Sequence, residues 1–197
     1  MTLSPCSCAR LKANNWGDAS TMKLIRVHLE PGAMVNYIQI GHRRTAVEYA
    51  IAGIQKIHDA NLDLLGRDPL SADMEGAMMA WVIESLLQGA YVREYHLWEK
   101  DCKAYFALIA NRNNQLLTIN QNEKPFPNFV RKVLLAFDVT LPDTILSAID
   151  HMRKQVNVMK HEEGLELDHF VSEADYKSAL DALESFWNEL MSREEYA

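Results

Sequence analysis

Apolar residues return every three or four positions along most of this chain, and glycines and prolines cut the pattern into five helical segments. The first runs from about Gly41 to Leu65, carried by Val47, Ala50, Ile51, Ile54, Ile57 and Leu62 and closed by Gly66 and Pro69. The second begins after Pro69, with Ser71 in the N-cap position and Asp73 and Glu75 in the first turn, where acidic groups suit the helix dipole. It continues to about Asn111 with two apolar stripes, both expected in the core. Met74, Met78, Trp81, Val82 and Leu86 make one; Tyr91, Tyr95, Trp98, Cys102, Phe106 and Ile109 make the other. Gly89 lies between them and predicts a kink or the close crossing of another helix.

Arg112 to Pro127 reads as a loop rich in Asn and Gln, and a short helix, Asn128 to Phe137, follows it. Pro142 opens the fourth helix, where its missing N–H costs nothing, and Gly164 ends it after His161. Ser172 and Asp175 form a capping-box start for the fifth, whose apolar face is Tyr176, Leu180, Leu183, Phe186 with Trp187, and Leu190. Nothing alternates well enough to build a sheet. The fold expected is all-α, a single bundle of about five helices over residues 41–197, preceded by a flexible, partly irregular arm over residues 1–40. Within the arm, Met22–Gly32 reads as a short strand or an extended stretch.

Composition narrows the function classes. The formal net charge of −7 argues against a protein that coats nucleic acid non-specifically, although a basic groove on an acidic body is compatible with it. Cys6, Cys8 and Cys102 are too few and too scattered for a disulfide framework, and no further ligands stand beside the Cys6/Cys8 pair. Cys102 reads as a small buried apolar residue. No cofactor is expected, because the chain has no Gly-rich phosphate loop, Walker motif or serine elbow. No apolar run is long enough to span a bilayer, and the first twenty residues lack the apolar centre of a signal peptide. A cytoplasmic protein without membrane contact is the expectation.

The fourth helix carries the candidate chemistry. With Arg153 set at 0°, Asn157 falls near about 40°, Lys160 near about 340°, His161 near about 80° and Asp150 near about 60° on a helical wheel. Ile145, Ile149, Met152, Val156 and Met159 gather between about 240° and 320° and form the core face. Histidine titrates near neutrality and can move a proton. Arginine and lysine can hold phosphate oxygens and stabilise charge developing on them, and asparagine can fix a phosphate, a ribose hydroxyl or a base edge. The set suffices in kind for metal-independent RNA cleavage by attack of a 2′-hydroxyl on the neighbouring phosphate. The competing reading is an ordinary solvated helix face.

The run MRKQVNVMKHEEG (Met152–Gly164), with the capped helix after it, resembles the C-terminal part of HEPN domains, small helical bundles named for higher eukaryotes and prokaryotes nucleotide-binding. Asn157, Lys160 and His161 look like the N-x-x-K-H element of some members. Tyr91–Phe106 is similar to the long helix of that family, in which an acidic residue sits inside an aromatic pattern; Glu99 takes that position here, with Glu94 behind it. The resemblance covers roughly residues 45–190. It implies a metal-independent endoribonuclease of a toxin–antitoxin or phage-defence type, with Arg153, Asn157, Lys160, His161 and Glu99 at the site. It also implies a homodimer in which two copies of the motif helix line one cleft, and RNA as substrate. The family signature is an arginine followed, after a shorter interval, by a histidine; here seven residues separate Arg153 from His161 and six separate Lys154 from it.

That spacing leaves a second function class open, a non-catalytic RNA- or protein-binding module working with an antitoxin or regulatory partner. A third is a ligand pocket around Trp81, Trp98 and Phe106. The Glu99/Lys103 pair has a plain structural reading as an i, i+4 pair, and His42, Arg43 and Arg44 could face phosphate or simply solvent. His96 with Glu99, and His161 with Glu162 and Glu163, lack the paired Glu-x-x-His pattern of a di-iron bundle.

Overall fold

The computed structural model describes residues 32–65, 69–112, 125–136, 139–161 and 170–192. Five helices fill these residues, with no strand among them: α1 Gly32–Leu65, α2 Pro69–Arg112, α3 Phe126–Ala136, α4 Asp143–His161 and α5 Glu173–Met191. The all-α bundle is as the periodicity predicts. The stretch Met22–Pro31, the Cys6/Cys8 pair and Gly164 lie outside the described residues.

Several boundaries differ from the sequence reading. α1 starts at Gly32, and Ala33 and Ile40 are already buried there. α2 starts at Pro69, which takes a first-turn position where proline belongs, so Ser71 lies inside the helix and does not cap it. α2 also runs unbroken through Gly89 for 44 residues. A Cβ at Gly89 would meet no heavy atom within 4 Å, so none of the described helices crosses there. α3 begins at Phe126, and the N–H groups of Asn128 and Phe129 both donate to the Pro125 carbonyl. The α5 cap forms as expected. Ser172 Oγ accepts from the Asp175 N–H at 3.1 Å, and Asp175 Oδ2 accepts from the Ser172 N–H at 3.0 Å.

α5 is the hub, packing on α1, α2 and α4. Its aromatic face meets the second stripe of α2 edge-on. Trp98 makes T-shaped contacts with Phe126 and Phe186, both at 5.4 Å between centroids, and Tyr105 does the same with Trp187. Such edge-to-face pairs add to the large apolar area these rings bury. Cys102 is buried among them, and burial pushes its thiol well up.

Two ion pairs fasten α1 to this centre. The buried Glu94 of α2 accepts both contacts of Arg43 Nε, at 2.9 and 2.8 Å, and Arg44 reaches Asp181 and Glu184 of α5 at 2.6 and 3.1 Å. Arg43 and Arg44 therefore brace the bundle, in place of the phosphate-facing or solvated cluster the sequence suggests.

α1 and α2 are far longer than the helices they pack on, with a rise of about 50 and about 65 Å against about 28 Å for α4 or α5. Their distal halves leave the bundle as an antiparallel pair. Beyond Ile51 and before Leu87, none of the described residues is buried. The first α2 stripe is consequently solvent-facing: Met74 and Met78 are exposed, Trp81 is 59% exposed and Val82 is also outside. A helical period marks one face as apolar, but no element among the described residues covers it. This separates Trp81 from Trp98 and Phe106, which lie in the core, and removes the pocket suggested for the three. No helix among the described residues is long and apolar enough to cross a membrane.

Candidate functional site

On α4 the core face is as expected, with Ile149, Met152 and Val156 fully buried. Beside it the polar stripe is already organised. Arg153 Nε donates to Asp150 Oδ1 at 2.8 Å, and Lys154 Nζ lies 3.0 Å from Asp150 Oδ2. Partial burial works to raise the Asp150 carboxyl, but the hydrogen bonds from Arg153 and Lys154 outweigh it and hold the group below its ordinary value. Asn157 and Lys160, one and two turns on, are exposed. His161 is the last residue of α4, and its side chain lies outside the described residues, as do Glu162 and Glu163.

α2 packs against this helix and brings a second set of groups to it. The buried Tyr95 donates its hydroxyl to Glu99 Oε1 at 3.0 Å, and Glu99 Oε2 stands 3.4 Å from Nδ1 of the exposed His96. Burial, and then the Glu99 carboxylate, drive the Tyr95 phenol well above its ordinary value, while Arg153 pulls it down and Asp150 pushes it up. Tyr95 thus lies within electrostatic reach of the Arg153–Asp150 pair of the helix packed against it. Lys103 is drawn away, over the Phe126 ring at 5.1 Å, so an i, i+4 ion pair does not account for Glu99.

Sequence reasoning passed over His151. It falls near about 160° on the α4 wheel, off the stripe, and lines a cavity of about 420 Å³ on the opposite flank with Tyr91, Gln155 and Asp175. Burial and the Asp175 carboxylate push the Tyr91 phenol up to about 12. The only signal for this second face was a histidine and a glutamine one turn apart. Glu94, the weaker acidic candidate, does not join the Glu99 face. It is 2% exposed and clamped by Arg43.

The α2/α4 face can do three things. Lys160 and Asn157 are exposed and can meet a phosphate or a base edge. Arg153 and Lys154 offer positive charge half-neutralised by Asp150. Glu99, with His96 beside it, can accept or pass a proton. Compared with protein-family models, with curated proteins and with solved structures, the chain finds no match.

Proposed function

We propose that this chain is a HEPN-type protein that cleaves RNA without a metal, through the face shared by α2 and α4. The observation that carries the reading is the packing of α2 on α4, which sets the Tyr95–Glu99 hydrogen bond on one helix beside the helix that carries the Arg153–Asp150 pair. Glu99 and Arg153 stand on helices separated by a long connection. In this scheme His161 moves the proton of the 2′-hydroxyl or of the leaving oxygen, and Arg153 and Lys160 stabilise the charge on the phosphorane. Asn157 holds the backbone beside the cut. Glu99, held by Tyr95, orients the cationic groups. A role in a toxin–antitoxin or phage-defence system follows from the same resemblance.

The second reading, a non-catalytic RNA-binding module, has an observation of its own. Both Arg153 and Lys154 lean on Asp150 and so carry less free charge than a phosphate site uses. One experiment separates the two. The purified full chain is incubated in EDTA with total RNA and a labelled tRNA pool, beside His161→Ala and Arg153→Ala. Cleavage by the wild type alone supports the nuclease. Retained cleavage by His161→Ala removes that residue from the mechanism. Binding without cleavage by any of the three gives the second reading.

A further inference from the structure

The pair of helices that leaves the bundle carries an uncovered face with an unusual distribution of size. On a helical wheel, Ala46, Ala50, Gly53, Ile57 and Leu64 of α1 lie within about 60° of one another, about 100° from the side that packs on α2. On α2, Met74, Met78, Val82, Ser85 and Gly89 lie in the matching position. Because the helices are antiparallel, both sets point to the same side of the pair. All ten of these residues are exposed. Between Ala46 and Leu64 and between Met74 and Gly89, the one ionisable group among the described residues on this side is Glu75, at its edge, where Oε1 accepts from Asn61 Nδ2 at 2.7 Å. In a chain with 24% charged residues, four to five turns of two helices without another charge on one side is a surface kept for contact.

The large and small side chains are not mixed. The tip carries Ile57, Leu64, Met74 and Met78, with Leu64 85% exposed. Towards the bundle the face becomes a groove of about 530 Å³ walled by Ala46, Ala50, Ser85, Leu86, Gly89 and Ala90 and closed at its inner end by His42, Arg93 and the Arg43–Glu94 pair. The boundary between knobs and groove lies level with Gly53 and Val82. Nothing among the described residues explains the glycines. A Cβ on Gly53 or Gly89 would meet no heavy atom within 4 Å, although glycine is a poor residue for a helix interior.

We propose that this face binds a second copy of the chain, with the two helical pairs antiparallel about a two-fold axis passing beside Gly53 and Val82. A face with knobs at one end and a groove at the other, equally far from a midpoint, is complementary to itself under that operation. Met74 and Met78 of each copy then enter the other's groove, and the glycines let the backbones approach. From Ala46 to Leu64 the face is about 27 Å long, and two helices make it about 20 Å wide. The footprint is on the order of 550 Å² per copy and about 1,100 Å² in all, within reach of a specific dimer. The contact leaves the α2/α4 face open and does not rest on the ribonuclease reading. It is also a different surface from the motif-helix cleft that the HEPN resemblance implies.

Sedimentation equilibrium of the full chain over roughly 1–50 µM is the test. The wild type is expected to be dimeric. Gly89→Leu fills the groove in open space, so the isolated chain should keep its helical circular dichroism and cooperative melting, yet dimerise at least about tenfold more weakly. Met78→Lys should do the same from the knob side, while Gln55→Lys, on the far side of α1, should dimerise like the wild type. A monomeric wild type overturns the proposal. So does a Gly89→Leu protein that is folded and as dimeric as the wild type.

Discussion

Replacing Arg43 with methionine would keep the length of the side chain and take the counter-charge from Glu94, the one buried charged residue among the described residues. Removing one partner of a buried ion pair typically costs about 3–5 kcal/mol, because a charge is left without compensation. For a chain of this size that corresponds to a fall in melting temperature of about 6–20 °C. The loss should depend on pH, and in a definite direction. Burial raises the Glu94 carboxyl above its ordinary value, against the opposing pull of Arg43. A carboxyl whose folded value is raised contributes stability that is complete below its unfolded value, about 4.3, and is lost as pH climbs through the folded value. Without Arg43 the folded value rises further, so the decline steepens and extends to higher pH. Asp101 reinforces the effect, since burial raises it too and Arg43 again opposes the shift.

The assay is urea unfolding of wild type and Arg43→Met at pH 5 and pH 8. At pH 8 the variant should be weaker by the full about 3–5 kcal/mol. At pH 5, where Glu94 can take up a proton, the deficit should shrink to about 1–2 kcal/mol, the scale of a lost hydrogen bond. The double variant Arg43→Met with Glu94→Leu should recover most of the stability, because it leaves no buried charge. A deficit below about 1 kcal/mol at pH 8, or an equal deficit at the two pH values, would refute the view that Arg43 neutralises a desolvated carboxylate.

Three further changes test the helices around the site. Ser172→Ala removes the acceptor for the Asp175 N–H and should cost about 0.5–2 kcal/mol in urea unfolding. Phe186→Ala empties a fully buried position against Trp98 and Trp187 and should cost about 3–5 kcal/mol, with loss of near-ultraviolet circular dichroism from the indoles. Asp150→Asn releases Arg153 and Lys154 together. If these cations contact phosphate, RNA affinity by fluorescence anisotropy should rise and the slope of log K against log salt should steepen by about 1–2; an unchanged slope would take both cations out of the interface.

The helices were legible where apolar periodicity and termini agreed. α5 carries both a stripe and a capping box, and its start was read to the residue. α1 shows where such reading fails. GAMVNYIQIG is apolar almost throughout, so it has no polar face to give it a period, and short apolar runs of that kind suit a strand as well as a helix. What makes it helical is tertiary, the burial of Ala33 and Ile40 in the core. The candidate site divides in the same way. The α4 stripe is local and could be drawn from spacing, whereas the pairing of Arg43 with Glu94 spans 51 residues and has no local signature. Even within α4 the wheel identifies who shares a face without saying who is already engaged. Asp150 was placed on the stripe, but its hold on both Arg153 and Lys154 needs rotamers.

The two stripes of α2 carry the point furthest. By spacing they are equivalent, one helix with apolar residues every three or four positions on either side of Gly89. Downstream the stripe is the centre of the core, with Trp98 and Phe106 sealed by α3 and α5; upstream Met74, Met78 and Trp81 stand in solvent. The difference lies in chain length. α4 and α5 have 19 residues each, too few to cover a helix of 44 and its antiparallel partner of 34. Apolar period therefore records that a face is meant to be covered, and the rest of the fold decides whether the cover comes from the same chain. Glycine sharpens the distinction. One that is crowded from within is explained by the fold, whereas Gly53 and Gly89 are crowded by none of the described residues. A close approach from outside gives them a reason, and for that reason a leucine at position 89 should spare the folded chain while disturbing its association.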